Sequence, residues 1–81
     1  MNYYVYLLIS SNIDKPITYV GITNNLKKRL TTHNKGKGAK FTRGRKWILI
    51  YKEKFKSKKE AISREYCIKN NRVFRNKIKS I

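Results

Sequence analysis

Tyr19-Val20-Gly21-Ile22-Thr23-Asn24-Asn25-Leu26-Lys27-Lys28-Arg29-Leu30-Thr31-Thr32-His33 reads as a β-strand that stops at a glycine and passes through a polar cap into a basic helix. Thr18, Val20 and Ile22 point one way on the strand, and Ile17, Tyr19 and Gly21 the other. Gly21 is expected to leave open space beside the Tyr19 ring, where a ligand or another backbone can come close. Thr23 or Asn24 is the expected helix cap. Leu26, Arg29, Leu30 and His33 then follow at i, i+3, i+4 and i+7, a single helix face. An arginine and the one histidine of the chain therefore share the stripe that should turn inward.

Working outward, residues 3–9 form a strand by their aromatic and β-branched content. Tyr4, Tyr6 and Leu8 lie on one face, and Tyr3, Val5, Leu7 and Ile9 on the other. Residues 10–16 are turn-rich, so residues 17–22 should return antiparallel as a hairpin. The helix over 24–35 ends at Gly36, a suitable C-terminal stop. A glycine-punctuated basic loop over 36–46 carries Lys37, Lys40, Arg43, Arg45 and Lys46. Residues 47–55 read as a third strand with Trp47, Leu49, Tyr51 and Phe55 on one side. Ser57 and Glu60 make a capping box that starts a second helix running to Lys69. Asn70-Asn71 breaks it, and a last helical turn or two carries Val73, Phe74, Ile78 and Ile81. The order is β-β-α-β-α-α. It predicts one α+β domain over residues 1–81, with a small three-stranded, mostly antiparallel sheet flanked by helices.

Eighty-one residues are near the lower end of what folds on one core without covalent staples. The lone Cys67 cannot form an internal disulfide, and it is expected as a small apolar residue in a reducing compartment. The N-terminus lacks a charged signal-peptide region, and residues 5–9 are too short an apolar run to span a bilayer. A cytoplasmic protein that uses no membrane is expected. Lysine and arginine number 21 against 4 acids, a formal charge of +17. Such a field attracts polyanions, nucleic acid first and anionic membrane second. An AT-rich genome favouring lysine codons is the plainer explanation of the same composition. The 40% apolar content argues against a disordered tail.

Four acids are few enough to sort one by one. Asp14 falls in the hairpin loop, Glu53 in a strand between Lys52 and Lys54, and Glu60 in the capping box. Glu65 stands four residues past Ala61 and three before Ile68, on the apolar side of its helix. It reads equally as a surface pair with Lys69 or as a carboxylate in a cleft. There it can hold a hard cation such as Mg²⁺ through one carboxylate, phosphate oxygens and water. Arg29 is either a solvated basic residue or a fixed guanidinium fork aimed at a phosphate. His33 is either a satisfied buried histidine or a base and proton relay. Tyr6 and Tyr19 are either core residues or two phenols sharing a cleft, where cations and a metal would be needed to favour phenolate.

Tyr4-Val5-Tyr6, then Tyr19-Val20-Gly21, an arginine ten residues past Tyr19, a histidine four further and a helical glutamate downstream resemble the GIY-YIG nuclease superfamily. The stretches 33–45 (His-Asn-Lys-Gly-Lys-Gly-Ala-Lys-Phe-Thr-Arg-Gly-Arg) and 61–69 (Ala-Ile-Ser-Arg-Glu-Tyr-Cys-Ile-Lys) are similar to its small stand-alone bacterial branch. That branch in turn resembles the nuclease domain of structure-specific endonucleases that cut branched DNA. The resemblance implies that Tyr6 and Tyr19 line the cleft and that one of them helps deprotonate the attacking water. Arg29 would stabilise charge on the phosphoryl group, His33 would assist proton transfer, and Glu65 would hold a single Mg²⁺ or Mn²⁺. Such chemistry needs a nucleophile generator, a charge clamp and a metal at the leaving oxygen.

Tyr4 stands where the family has glycine. The asparagine that many members carry after the metal glutamate has Asn76 as its nearest counterpart, with Asn70 and Asn71 as the other options. Longer members choose targets with an attached domain, so broad or structure-based preference, or an accessory protein, is expected here. The sequence thus predicts a metal-dependent DNA endonuclease. It would grip backbone through Lys27, Lys28 and Lys35 on the helix and through Lys37, Lys40, Arg43, Arg45 and Lys46 in the loop. Two alternatives need no Glu65: a basic nucleic-acid-binding module on the same fold without turnover, and an RNA-associated protein whose tyrosines stack on bases.

Overall fold

Residues rich in tyrosine, valine and leucine make the first strand the centre of the sheet. The structure, a computed structural model, describes residues 2–10, 17–37 and 46–79. Its elements are β1 (Tyr3–Ser10), β2 (Ile17–Thr23), α1 (Leu26–Asn34), β3 (Ile48–Phe55), α2 (Lys58–Lys69) and α3 (Arg72–Lys79). The sheet order is β2-β1-β3 with both pairings antiparallel, so the predicted α+β class and sheet hold. The predicted Asp14, Lys40, Arg43, Arg45 and Ile81 lie outside the described residues. Among those described, no helix is long and apolar enough to cross a membrane.

β1 is covered on both faces, with Val5, Leu7 and Leu8 almost fully buried. Each such side chain contributes about 1.5–3 kcal/mol of burial free energy. Val5 and Leu7 pack with Val20 against Ala61 and Ile68 of α2, backed by Phe74 and Ile78 of α3. Tyr6 and Leu8 pack on the opposite face with Trp47, Tyr19, and Leu26 and Leu30 of α1. The period-two reading of β1 and β2 therefore assigns their faces correctly, and the 26/29/30/33 stripe turns inward as expected. Three layers result: α1, the sheet, and the α2/α3 pair.

β3 departs from its expected alternation. Leu7 faces Tyr51 while Leu8 faces Leu49, so Ile50 is an extra residue in the ladder. This bulge reverses the parity of the strand. Leu49 joins Trp47 on the α1 face, whereas Tyr51 and Phe55 go to the α2/α3 face. Glu53 follows them inward, and its partner is not a neighbouring lysine. Arg64 of α2 grips it with Nε to Oε1 at 2.8 Å and Nη2 to Oε2 at 2.9 Å, and the Tyr51 hydroxyl also donates to it. The Arg64 guanidinium lies 5.3 Å from the Phe74 ring centroid, and Tyr51 meets Phe74 edge-on. Lys52 and Lys54, left exposed on the other side, blunt this sheet edge.

Several local expectations shift. Asn25, not Thr23 or Asn24, caps α1, its Oδ1 accepting from the Lys28 N–H at 3.1 Å. Thr23 Oγ1 instead accepts from the Asn25 N–H, one step earlier. Gly36 ends α1 as predicted, at φ +75°, with its N–H on His33 O and the Lys37 N–H on Thr32 O. Ser57 Oγ caps α2 through the Glu60 N–H, and Asn71 Oδ1 caps α3 through the Phe74 N–H. Val73 is 78% exposed because only Phe74 and Ile78 of α3 face the core. Cys67 is exposed, not a packed apolar residue, because it follows Tyr66 on the solvent side of α2.

Candidate active site

Gly21 lies directly across from Tyr6 in the β1–β2 ladder. The space that its missing side chain leaves is filled, contrary to the expectation of an opening for a ligand. A Cβ at Gly21 would overlap the Tyr6 hydroxyl and Cζ and come within 2.9 Å of Cε2. The glycine thus allows the Tyr6 ring to lie flat across β2, and its φ is not positive, so the need for glycine is steric.

The α1 stripe meets the phenol there. The Tyr6 hydroxyl is 2.9 Å from His33 Nε2, and Arg29 Nε donates to the Tyr6 oxygen at 3.4 Å. Tyr6 and His33 are both almost wholly buried. Burial, opposed by the Arg29 hydrogen bond and charge, holds the Tyr6 pKa above its ordinary 10, with the Tyr19 and Glu65 charges adding to the rise. Burial, with the charge of Arg29, holds His33 below its ordinary 6.5. Both groups are therefore neutral at pH 7. With Arg29 donating to the oxygen, the complementary arrangement has the phenol donating to Nε2 of a His33 protonated at Nδ1.

Tyr19 comes from β2, half-buried, with its ring centroid 5.1 Å from His33 and 6.4 Å from Tyr6. On its other side Trp47 lies 6.2 Å away. Trp47 is held by a contact that sequence reading missed. Asn34 Oδ1 accepts from the Trp47 N–H at 2.6 Å, and Asn34 Nδ2 donates to the Trp47 carbonyl at 3.2 Å. An asparagine at a helix end reads as a cap or turn residue, and no spacing marks a partner thirteen positions away.

Glu65 belongs to α2, on the opposite face of the sheet from α1, and is half-buried between Ala61 and Ile68. Its charge is the smallest of those that raise the Tyr6 pKa. The salt bridge of α2 belongs to Arg64 and Glu53, and Glu65 takes no part in it. Among the described residues Glu65 makes no salt bridge. No group of three or more His, Cys, Asp or Glu gathers among the described residues. A zinc-type all-protein cage is therefore not built there. A single carboxylate fits a hard divalent ion that takes its remaining oxygens from water and phosphate.

The predicted basic residues divide. Lys27, Lys28, Lys35 and Lys37 line one shallow groove of about 510 Å³ with Thr31 and Thr32, on the outer side of α1. Lys46 is exposed just ahead of β3. A second cavity of about 350 Å³ opens where β2 ends, lined by Tyr3, Ile22, Thr23, Asn24, Arg29 and Lys58. Of Asn70, Asn71 and Asn76, the first two are engaged at helix ends: Asn70 Nδ2 donates to the Tyr66 carbonyl, and Asn71 caps α3.

Comparison with known proteins adds the following. A family profile described as the GIY-YIG catalytic domain matches residues 2–79. A UPF0213 protein of Clostridium perfringens is 54% identical over 67 residues, covering 82% of this chain and 69% of that protein. A UPF0213 protein of Bacillus pumilus is 48% identical over 69 residues, covering 84% and 67%. The solution structure of a UPF0213 protein from Bacillus halodurans superposes with a TM-score of 0.55 at 38% identity, over 99% of this chain and 84% of that one. Those names carry no activity, metal or substrate; the profile implies a nuclease-type domain in general.

Proposed function

The chain belongs to the GIY-YIG catalytic-domain family, and on that footing we propose that it is a divalent-metal-dependent endonuclease acting on branched or otherwise structured DNA. What supports this most is the Tyr6 phenol held between His33 Nε2 and Arg29 Nε. Tyr6 is 2% exposed, so its proton leaves through His33 and not to bulk water. A water entering from the β2 edge gives a proton to the Tyr6 oxygen as Tyr6 passes its own to His33 Nε2. This relay needs no free phenolate, which burial disfavours. Transfers of this kind contribute about 10²–10⁴-fold in rate.

Arg29 bonds Tyr6 through Nε and also hydrogen-bonds Tyr19, so its guanidinium is held in place to meet charge developing on the phosphoryl oxygens. Tyr19 closes the aromatic wall beside His33 and fixes the direction of approach. Glu65 would hold one Mg²⁺ or Mn²⁺, which when bound neutralises charge on the phosphate and the departing oxygen. Lys27, Lys28, Lys35 and Lys37 suit flanking backbone phosphates, and an accessory protein would supply targeting.

The raised Tyr6 pKa favours a second reading, a basic binding module on the same fold without turnover. Labelled flap, junction, duplex and single-stranded DNA, incubated with Mg²⁺ or EDTA, separates the two. Metal-dependent cutting that Tyr6→Phe and Arg29→Ala abolish supports the nuclease. Tight metal-independent binding with no cutting on any substrate supports the module.

A further inference from the structure

α2 runs antiparallel along β2, with Lys58 beside Ile22 and Thr23 in one cavity and Lys69 beside Thr18 and Val20 in another. β2 is an edge strand of the sheet among the described residues. The second cavity, of about 290 Å³, is lined by Thr18, Tyr19, Val20, Lys69 and Arg75. Tyr19 thus serves both the His33 cluster and this cavity. Arg75 contributes an independent observation. Its Nε is buried and has no hydrogen-bond partner among the described residues. Buried donors are nearly always satisfied, and an acceptor that draws the Arg75 guanidinium toward the cavity would satisfy this one. Two cations, one of them carrying the orphaned N–H, and a threonine hydroxyl make a site for an anionic oxygen.

We propose that this cavity seats a backbone phosphate of the nucleic-acid strand, next to the one held at Tyr19 and Arg29. The strand then lies along the edge of β2, from Lys69 and Arg75 at one end to Lys58 and Arg29 at the other. This rests on the nuclease reading only for the identity of the phosphate between them. From Thr18 to Thr23 the strand advances about 16 Å, the axial length of about five nucleotides. The chain charge of +17 favours a polyanion over a peptide strand at this edge. Neither Lys69 nor Arg75 belongs to the Tyr6 network, so their loss should weaken grip while leaving the chemistry in place.

The test is anisotropy binding of a fluorescein-labelled flap DNA in EDTA, from about 50 to 200 mM salt. Lys69→Gln/Arg75→Gln should weaken binding roughly tenfold at 0.1 M salt and reduce the salt slope by about one unit. Lys52→Gln/Lys54→Gln, the same two-charge change on the far edge of the sheet, should fall within twofold. Arg75→Lys, which keeps the charge, should retain the slope and guards against a folding artefact. Replacing single linkages by neutral methylphosphonates should reveal one position whose neutralisation weakens the wild type but not the double variant. An unchanged slope in the double variant, or methylphosphonate losses identical in both proteins, overturns the proposal. Wild-type cutting in Mg²⁺, run in parallel, is a separate readout. Cutting with an unchanged slope leaves the nuclease and removes the seat; the binding losses without cutting leave the seat and remove the nuclease.

Discussion

Gly21→Ala is the sharpest probe of how the tyrosine cluster is assembled. At a strand position with free space and ordinary φ, alanine stabilises by about 0.4–1 kcal/mol relative to glycine, because it restricts the unfolded chain. Here the added Cβ overlaps the Tyr6 hydroxyl and Cζ. Tyr6 is buried on the β1 strand at the centre of the sheet, so it cannot step aside without moving Leu8 or Trp47. Overpacking of this kind costs about 1–3 kcal/mol. Displacing the phenol also breaks its bond to His33 and strands a buried acceptor, a further cost of about 1–3 kcal/mol. The expected net loss is about 2–4 kcal/mol, with cleavage falling about 10²-fold or more as the relay is broken. Urea unfolding followed by circular dichroism measures the first, and a gel assay the second. Tyr6→Ala/Gly21→Ala supplies the control: with the ring gone, the alanine at 21 should cost nothing further, a strong non-additivity. Gly21→Ala as stable as wild type, or costs that simply add, would refute the close packing of Tyr6 on Gly21.

Three further outcomes follow from the same geometry. Gly36→Ala should destabilise by about 1–2 kcal/mol through its left-handed φ alone, since nothing crowds the position; equal stability by urea unfolding would show that the α1 terminus is otherwise built. His33 is depressed below 6.5, so the unfolded chain takes up the proton first as pH falls. Its contribution is complete above 6.5 and is lost as pH falls through the folded value. Melting temperatures over that range should drop more steeply for wild type than for His33→Gln, and the acid limb of cleavage should likewise lie below 6.5. Glu53, lowered from 4.5 chiefly by the Arg64 hydrogen bonds, contributes stability above 4.5 that is lost as pH falls through its folded value. Glu53→Gln should therefore flatten the melting curve only in that more acidic window, and a flattening above pH 5 would contradict the assignment.

Much of this molecule is legible where period and burial agree. The alternation in β1 assigned Val5 and Leu7 to one core and Tyr6 and Leu8 to the other, because that strand is regular over the run. The 26/29/30/33 stripe predicted that Arg29 and His33 turn inward, and they meet at Tyr6. β3 misled because one inserted residue, Ile50, inverts the face of everything after it, and no residue type announces a bulge. Gly21 read as an opening because the residue facing it across the ladder depends on register, which the hairpin sets and the strand itself does not. The Asn34–Trp47 clamp stayed hidden because both of its bonds end on backbone atoms, whose sequence neighbours carry no signature. Cys67 was misjudged by residue type: small thiols are usually buried, but its place on the outer side of α2 decided otherwise.

The measurement that bears most directly on the nuclease is cleavage of labelled branched DNA by wild type and Glu65→Ala, each with Mg²⁺ and with EDTA, alongside binding in EDTA. Wild type should cut in Mg²⁺ alone, Glu65→Ala should not cut, and the variant should bind equally or slightly more tightly, since a negative charge leaves the cleft. Cutting by Glu65→Ala at the wild-type rate, or loss of binding together with cutting, would contradict the role given to Glu65.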